Sequence, residues 1–132
     1  MKILVVCQHY FPEPFRLPDI CETLARRGHT VTVVTGTPNY PEGKIYDGYG
    51  NGARADEILN GVRVHRCPLK PRKTGTLYRV LNYYSFVLSS EWYLRRSQED
   101  FDVVFVNQLS PVMMAQAGLS WAKRHGRKCV LY

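Results

Sequence analysis

The feature that most constrains this chain is a short apolar run at its start, Ile3–Cys7, which ends in the polar pair Gln8-His9. A short apolar run bounded in this way is typical of a strand that is buried on both faces of a parallel sheet. In such sheets the loop that leaves the carboxyl end of a central strand lines the ligand-binding crevice. We therefore predict that the loop Gln8–Arg16 lines a site.

The rest of the chain alternates between helical and strand patterns. Apolar residues at helical spacing after Leu17, with a glycine stop at Gly28, predict a first helix. Gly36–Gly61 has no apolar periodicity and is predicted to be a long loop. Further strands are predicted at Thr30–Thr35, Val62–Cys67, Phe101–Val106 and Lys128–Tyr132, and further helices at Thr76–Ser97 and from Ser110 to about Arg124. This order predicts an α/β fold with a Rossmann-like, doubly wound parallel sheet in the strand order 3-2-1-4-5.

The long central helix has one main apolar face, and a helix of this kind usually packs on its domain through such a face. Its residues are Leu77, Val80, Leu81, Tyr84, Val87, Leu88 and Trp92. Four further aromatic residues, Tyr78, Tyr83, Phe86 and Tyr93, fall outside that stripe. The longest charge-free segment of the helix, Val80–Ser90, is too short to span a bilayer.

Length and charge narrow the class of protein. The 132 residues form one domain by size, and the formal charge of +7 favours an acidic partner such as nucleic acid, phosphoryl groups or anionic lipid.

The four cysteines are far apart, which predicts free thiols, mostly buried, in a reducing cytoplasm. No signal peptide is expected. The chain stops inside the fifth predicted strand, so we expect it to be the N-terminal part of a larger protein.

Two common nucleotide-binding motifs are absent from the sequence. The first turn, QHYFPEPFR, contains no glycine, so it lacks the dinucleotide fingerprint that lets backbone wrap a pyrophosphate. The chain also has no P-loop. These absences argue against NAD, FAD or ATP at the first turn.

Several stretches together resemble a known family. They are YFPEP after the first strand, LARRGHTVTVVTG at the end of the first helix, TPNYPEGKIYDGY at Thr37–Tyr49, GVRVHRCP at Gly61–Pro68, the helix that begins LYRVLNYYSF, and the Ser110-Pro111 helix start. Across essentially the whole chain this pattern resembles retaining glycosyltransferases of family 4, which have the two-domain GT-B architecture. It is similar to the bacterial enzymes that build O-antigen, colanic acid and other exopolysaccharides and lipopolysaccharides.

The resemblance implies a division of labour between two domains. Residues 1–132 would be the N-terminal, acceptor-side domain, and an absent C-terminal domain would hold most of the nucleotide-sugar donor. Transfer of a hexose-type sugar would then need no metal or other cofactor, and the catalytic residues would lie beyond Tyr132. The expected acceptor is a lipid-linked glycan at the inner face of the cytoplasmic membrane, and the fragment alone is expected to be inactive.

The resemblance also suggests which residues line the cleft. The family often carries a Gly-Gly pair close to the donor phosphates, where this chain has Phe15-Arg16. Arg16 could bond phosphate instead, or it could be a solvated side chain beside a helix start. The predicted cleft residues are Pro14, Phe15, Arg16, Asn39, Tyr40, Pro41, Gln108 and Ser110. Asn39-Tyr40-Pro41 could equally be a turn with a packed tyrosine, Ser110 a helix cap, and His9 either a base or a polar strand end.

A basic tract precedes the long helix and runs into its aromatic residues. Basic residues near an anionic membrane contribute about 1 kcal/mol each, and interfacial tyrosines add to this. The predicted membrane patch is Arg63, Arg66, Lys70, Arg72, Lys73, Arg79, Tyr83 and Phe86. The alternative is a solvated charged face whose tyrosines pack on a neighbouring helix or a dimer partner.

Two other interpretations stay open at this point. The chain could be a non-enzymatic Rossmann-like module that binds anionic lipid or nucleic acid, although it shows no RNA-binding motif. A fragment cut inside a strand could also self-associate through its exposed sheet edge and cleft face.

Overall fold

A computed structural model describes residues 1–13, 15–39, 44–50, 55–69, 75–107 and 115–132. These residues form one sheet with helices on both of its faces. The strands are β1 (Lys2–Cys7), β2 (Thr30–Gly36), β3 (Asp56–Leu59), β4 (Val62–Cys67), β5 (Val103–Asn107) and β6 (Lys128–Leu131). The helices are α1 (Leu17–Arg26), α2 (Thr76–Arg96) and α3 (Gln116–His125).

The sheet has six strands in the order β3-β4-β2-β1-β5-β6. All neighbouring strands are parallel except β3, which pairs with β4 in the antiparallel direction. The five parallel strands follow the predicted 3-2-1-4-5 order, so the predicted fold class is confirmed. The addition is β3, which lies inside the segment that we predicted to be a loop, and which extends the sheet at its β4 edge.

The central strand β1 is buried on both faces, as its apolar run predicts. Ile3, Val5 and Cys7 contribute to a core on the α1 side, whereas Leu4 and Val6 contribute to the core beneath α2 and α3. This alternation follows from the two-residue period of a strand. The loop after β1 therefore starts from a strand that is packed on both faces.

The helix α3 approaches the sheet closely at Gly118. A Cβ atom at this position would lie 2.6 Å from the Cγ2 atom of Val106 and 3.3 Å from side-chain atoms of Val104 and Val6. Any larger residue would push the helix off the sheet.

The long helix α2 begins at the predicted residue and ends at Arg96, one residue earlier than predicted, but it packs through a different face. Its buried residues are Asn82, Phe86, Val87, Ser90 and Leu94. The stripe that the sequence marks as its main apolar face points outward, with Leu77 68 %, Leu88 66 % and Trp92 62 % exposed. Hydrogen bonds make the mixed inner face possible, since the Ser90 hydroxyl donates to the Phe86 carbonyl oxygen at 2.6 Å. The prediction of the packing face was therefore wrong, apart from Val87.

Candidate functional site: a crevice at the carboxyl edge of the sheet

The carboxyl ends of β1, β2 and β5 meet at one edge of the sheet, where polar side chains gather. Gln8, His9 and Glu13 follow β1, Asn39 follows β2, and Asn107 ends β5. Gln8, His9, Glu13 and Asn39 are all buried, at 7, 4, 3 and 0 % exposure. Because burial of polar groups is costly unless they are hydrogen-bonded, this cluster requires an internal network.

Glu13 connects the loops after β1 and β2. Its Oε2 atom accepts a hydrogen bond from Nδ1 of His9 at 2.8 Å and another from the backbone N–H of Asn39 at 3.1 Å. The imidazole also stacks on Phe15, with ring centroids 5.1 Å apart. Since a carboxylate only accepts, the Nδ1 atom of His9 carries the proton in this pair. The arrangement fixes one imidazole and two loops at the mouth of the crevice.

A second link joins this network to α2. The Gln8 side-chain amide donates to Oδ1 of Asn82, which is fully buried in the long helix. The backbone carbonyl of Gln8 accepts from the N–H of Gly36 at 3.2 Å, at the end of β2. The floor of the crevice is thus bonded to α2 and to β2.

An open cavity of about 690 Å³ lies beside this network. Such a volume lies within the range of small-molecule sites. Phe15 and Arg16, both predicted cleft residues, line this cavity. Its other lining residues are Leu17, Asp19, Ile20, Asn107 and Tyr132. Arg16 is exposed at the N-cap position of α1, where a guanidinium and the positive end of a helix both favour an anion.

The other predicted cleft residues are placed differently. Asn39 is fully buried, and its side-chain amide donates to the Thr37 carbonyl oxygen at 3.0 Å. This position supports the loop and does not favour direct contact with a ligand. Pro14, Tyr40, Pro41, Gln108 and Ser110 lie outside the described residues.

Arg66, which we placed in the membrane patch, is buried and serves as an internal anchor. Its guanidinium donates to Oε1 of Glu57 at 2.7 Å and to the Phe11 carbonyl oxygen at 2.9 Å. It also lies over the ring of Tyr49, 4.8 Å from the centroid. One side chain therefore joins β3, β4, the first loop and the segment before β3, and it has no surface to offer a membrane.

The remaining residues of the predicted membrane patch divide into three groups. Phe86 is fully buried in the core, so this part of the prediction is also wrong, and Tyr83 is half-buried against the core. Arg79 is exposed, and Arg63 is exposed while pairing with Glu99 at 3.0 Å. Lys70, Arg72 and Lys73 lie outside the described residues.

The cysteines are free thiols, as predicted, with Cys7, Cys21 and Cys67 buried and Cys129 half-buried. Burial raises the pKa of Cys21 and of Cys67 to about 12 and raises that of Cys7 well above its ordinary value. A thiol with so high a pKa stays protonated at neutral pH, and a nucleophile needs the thiolate. These three side chains are therefore core residues.

The described residues offer neither a metal site nor a membrane-spanning helix. Within the ranges that the structure describes, no group of three or more His, Cys, Asp or Glu side chains could hold a metal ion. In the same ranges no helix is both long and apolar enough to cross a membrane.

Sequence reasoning missed Glu13 and Asn82 as organisers of the crevice. Glu13 lies within the predicted site loop, and its i, i+4 spacing from His9 was a usable signal. Asn82 carried a weaker signal, a lone amide on a helix of aromatic and aliphatic residues.

Comparison with known proteins agrees with the fold and identifies a family. A model of the glycosyl transferase 4-like domain matches residues 15–131. A protein of Escherichia coli strain K12 that is named as a colanic acid biosynthesis glycosyl transferase, WcaI, is 35 % identical over 133 aligned positions. That alignment covers 93 % of this chain but only 32 % of the relative, so the chain spans about a third of the length of the curated relative that it matches.

Two solved structures of the C-terminal domain of a Pyrococcus furiosus hydrogenase have a similar fold. Their TM-scores are 0.60 and 0.58, they cover 98 and 99 % of this chain, and the chain covers 89 and 90 % of theirs. The sequence identities are 19 and 21 %, so these similarities bear on the fold alone.

Proposed function

This chain belongs to the glycosyl transferase 4-like family, and from that premise we propose that it forms the acceptor-side half of a glycosyltransferase of cell-surface polysaccharide synthesis. The reaction would move a sugar from a nucleotide-sugar to a lipid-linked glycan in the cytoplasm, at the inner face of the membrane. The bond from the anomeric carbon to the donor phosphate breaks and the nucleoside diphosphate leaves. A bond forms from the anomeric carbon to the oxygen of an acceptor hydroxyl, which gives up its proton to the departing diphosphate. The family match over residues 15–131 is the observation that carries this proposal.

The crevice supports the proposal by its position and its chemistry. It lies where ligands bind in open parallel sheets, outside the carboxyl ends of the strands. The cavity of about 690 Å³ combines the aromatic ring of Phe15, the amide of Asn107 and the charge of Arg16. Sugar sites use such apolar faces with a few fixed polar groups. A second domain facing this edge would close the cleft.

Arg16 is the residue we assign to the donor. A departing nucleoside diphosphate carries negative charge, and a guanidinium can bond two of its oxygens at once. Asp19 lines the same cavity and is also exposed, so it would orient this guanidinium or compete for it. The proposed transfer needs no metal and no cofactor beyond the nucleotide-sugar itself.

The network of His9, Glu13 and Asn39 would act as a rigid support for this site. The three residues are buried, and Glu13 accepts from the His9 imidazole and from the Asn39 backbone N–H, so they hold the loop in one position without needing a ligand. Such a preformed support lowers the entropic cost of ordering the substrate.

The test uses the longer protein that contains this chain. It would be incubated with a panel of labelled UDP-, GDP- and TDP-sugars, with bacterial membranes as the source of lipid-linked acceptor, with and without EDTA. We expect transfer of one sugar into the lipid fraction in both conditions, and none by the 132-residue chain alone. Absence of transfer and of donor hydrolysis across the panel would refute the proposal.

A further inference from the structure

The outward face of α2 is the largest feature that the crevice leaves unexplained. Leu77, Leu81, Tyr84, Leu88 and Trp92 recur every three to four residues and are 68, 39, 51, 66 and 62 % exposed. Together they form what we call the α2 stripe, about 23 Å long at 1.5 Å per residue. A contiguous exposed apolar surface of this kind marks an interaction site.

The stripe is not a product of poor packing, because α2 has a complete inner face. Asn82, Phe86, Ser90 and Leu94 are each no more than 1 % exposed. Rotating the helix to bury the stripe would bring the Asn82 amide and the Ser90 hydroxyl into solvent and expose Phe86. The fold thus presents its more apolar helix face to the outside.

Charge at the C-terminal end of the stripe identifies the class of partner. Arg95 and Arg96 are both exposed at this end. The only acid in the helix is Glu91, whose Oε1 atom already accepts from Arg95 at 3.2 Å and from the Ser120 hydroxyl at 2.9 Å. An apolar surface with a basic end matches a bilayer that has acidic headgroups.

Two details of the C-terminal end favour an interfacial position. Arg96 lies over the ring of Trp92, with its guanidinium 4.7 Å from the ring centroid. Arginine and tryptophan both combine an apolar body with a polar end that belongs at headgroup level. Arg124 of α3 adds a further cation beside this end, since it donates to the Ser120 hydroxyl that contacts Glu91.

The same charges argue against a second copy of the chain in a parallel arrangement. In a symmetric dimer the same patch meets itself. A parallel arrangement of two α2 helices would place Arg95 and Arg96 against their own copies. Like charges facing each other across an interface weaken it.

We propose that the α2 stripe lies in the headgroup region of an anionic bilayer and docks this domain on the membrane surface. The first turns of α2 lie at the carboxyl edge of the sheet, as the bond between Asn82 and Gln8 shows. A docked stripe would thus keep the crevice near the membrane. This deepens the proposed function, on which the benefit of reaching a lipid-linked acceptor rests, while bilayer binding itself can be measured without sugar transfer.

The experiment measures partition of the 132-residue chain onto vesicles. The vesicles contain phosphatidylcholine alone, or phosphatidylcholine and phosphatidylglycerol in equal parts. Trp92 is the exposed reporter, whereas Trp121 is fully buried and gives a constant background. We expect binding to the anionic vesicles, with a blue shift of Trp92 emission that Trp92→Phe removes. Binding should weaken between 0.1 and 1 M salt, as the Debye length falls from about 10 to about 3 Å.

A pair of variants tests the location of the contact. Leu88→Glu places a charge in the stripe and should lower partition about tenfold or more, because it removes an inserted side chain and adds repulsion. Ile58→Glu is the matched control, since Ile58 is 71 % exposed on β3, away from the stripe, and the change of charge is the same. The control should bind like the unchanged chain, and thermal unfolding would confirm that both variants are folded.

Several outcomes would overturn the proposal. On vesicles, these are no binding, equal binding to neutral and anionic vesicles, or an equal loss of partition in Leu88→Glu and Ile58→Glu. A dimer that Leu88→Glu dissociates would also overturn it, as would vesicle binding by the 132-residue chain but not by the longer protein. Transfer by the longer protein to a water-soluble acceptor separates the two proposals. If Leu88→Glu keeps that transfer, an absence of vesicle binding refutes the docking of the α2 stripe and leaves the proposed glycosyltransferase activity intact. Vesicle binding without any sugar transfer refutes only the proposed glycosyltransferase activity.

Discussion

The orientation of α2 can be tested by two substitutions that lie two residues apart. Phe86 is fully buried beneath the helix, and Leu88 is 66 % exposed on its outer face. Phe86→Ala removes a packed ring and leaves a cavity, which costs about 3–5 kcal/mol of unfolding free energy. Leu88→Ala removes a side chain that is mostly in water, and such surface changes stay within about 0.5 kcal/mol.

Urea unfolding monitored by circular dichroism measures both values. With a slope of about 2 kcal/mol per molar urea, Phe86→Ala should lower the midpoint by about 2 M, and Leu88→Ala should leave it nearly unchanged. If Phe86→Ala does not fold, Phe86→Leu provides the comparison, with a smaller expected loss because fewer packed atoms are removed. A larger loss for Leu88→Ala than for the Phe86 variant would mean that the apolar stripe is the packed face, and the account of α2 would be refuted.

Three further predictions concern the core and the crevice. Glu13→Ala should lower the unfolding free energy by about 3–5 kcal/mol, because it removes the acceptor shared by the buried His9 imidazole and the Asn39 backbone N–H. Glu13→Gln keeps an acceptor and should cost clearly less, and equal losses in urea titrations would contradict this network. Gly118→Ala should lower the unfolding free energy by about 1–3 kcal/mol despite the better helix propensity of alanine, because the added methyl group would clash with Val106. A stabilised variant in the same urea titration would show that α3 has room above the sheet. The free energy of unfolding should fall above pH 9, because the pKa of Cys21 and of Cys67 is raised from 9.0 to about 12 in the folded chain, so that the unfolded chain loses these protons first. The expected fall is up to about 1.4 kcal/mol per pH unit for each thiol. Urea titrations on both sides of pH 9 measure the effect, and unchanged stability to about pH 11 would refute it.

The parallel part of the sheet was predictable because each of its features has a local cause. The Ile3–Cys7 run can only be satisfied by burial on both faces, and the short links around α1 make β1 and β2 parallel neighbours. The strand β3 carried no such signal. Asp56 and Glu57 are poor strand formers, and β3 forms because β4 offers it an edge and Arg66 a partner for Glu57.

The face of α2 could not be read from hydrophobicity, because its outer face is the more apolar one. Asn82 and Ser90 become suitable core residues only when Gln8 and the Phe86 carbonyl oxygen are in place to bond them. For the same reason Arg66 was assigned to the surface, although Glu57 and the Phe11 carbonyl oxygen compensate its charge inside the domain. For Asn82 and Arg66, a partner distant in sequence decides the burial of a polar side chain.

The most direct test of the central claim, that the carboxyl edge of this sheet is one wall of a sugar-transfer site, is a kinetic comparison in the longer protein. Arg16→Ala and Arg27→Ala each remove one exposed arginine, from opposite ends of α1. Loss of a charge-assisted bond to the donor phosphate, worth about 1.5–3 kcal/mol, predicts that Arg16→Ala lowers kcat/KM for the nucleotide-sugar by about 10- to 150-fold. Arg27→Ala should leave kcat/KM unchanged. Equal values for the two variants would contradict the claim.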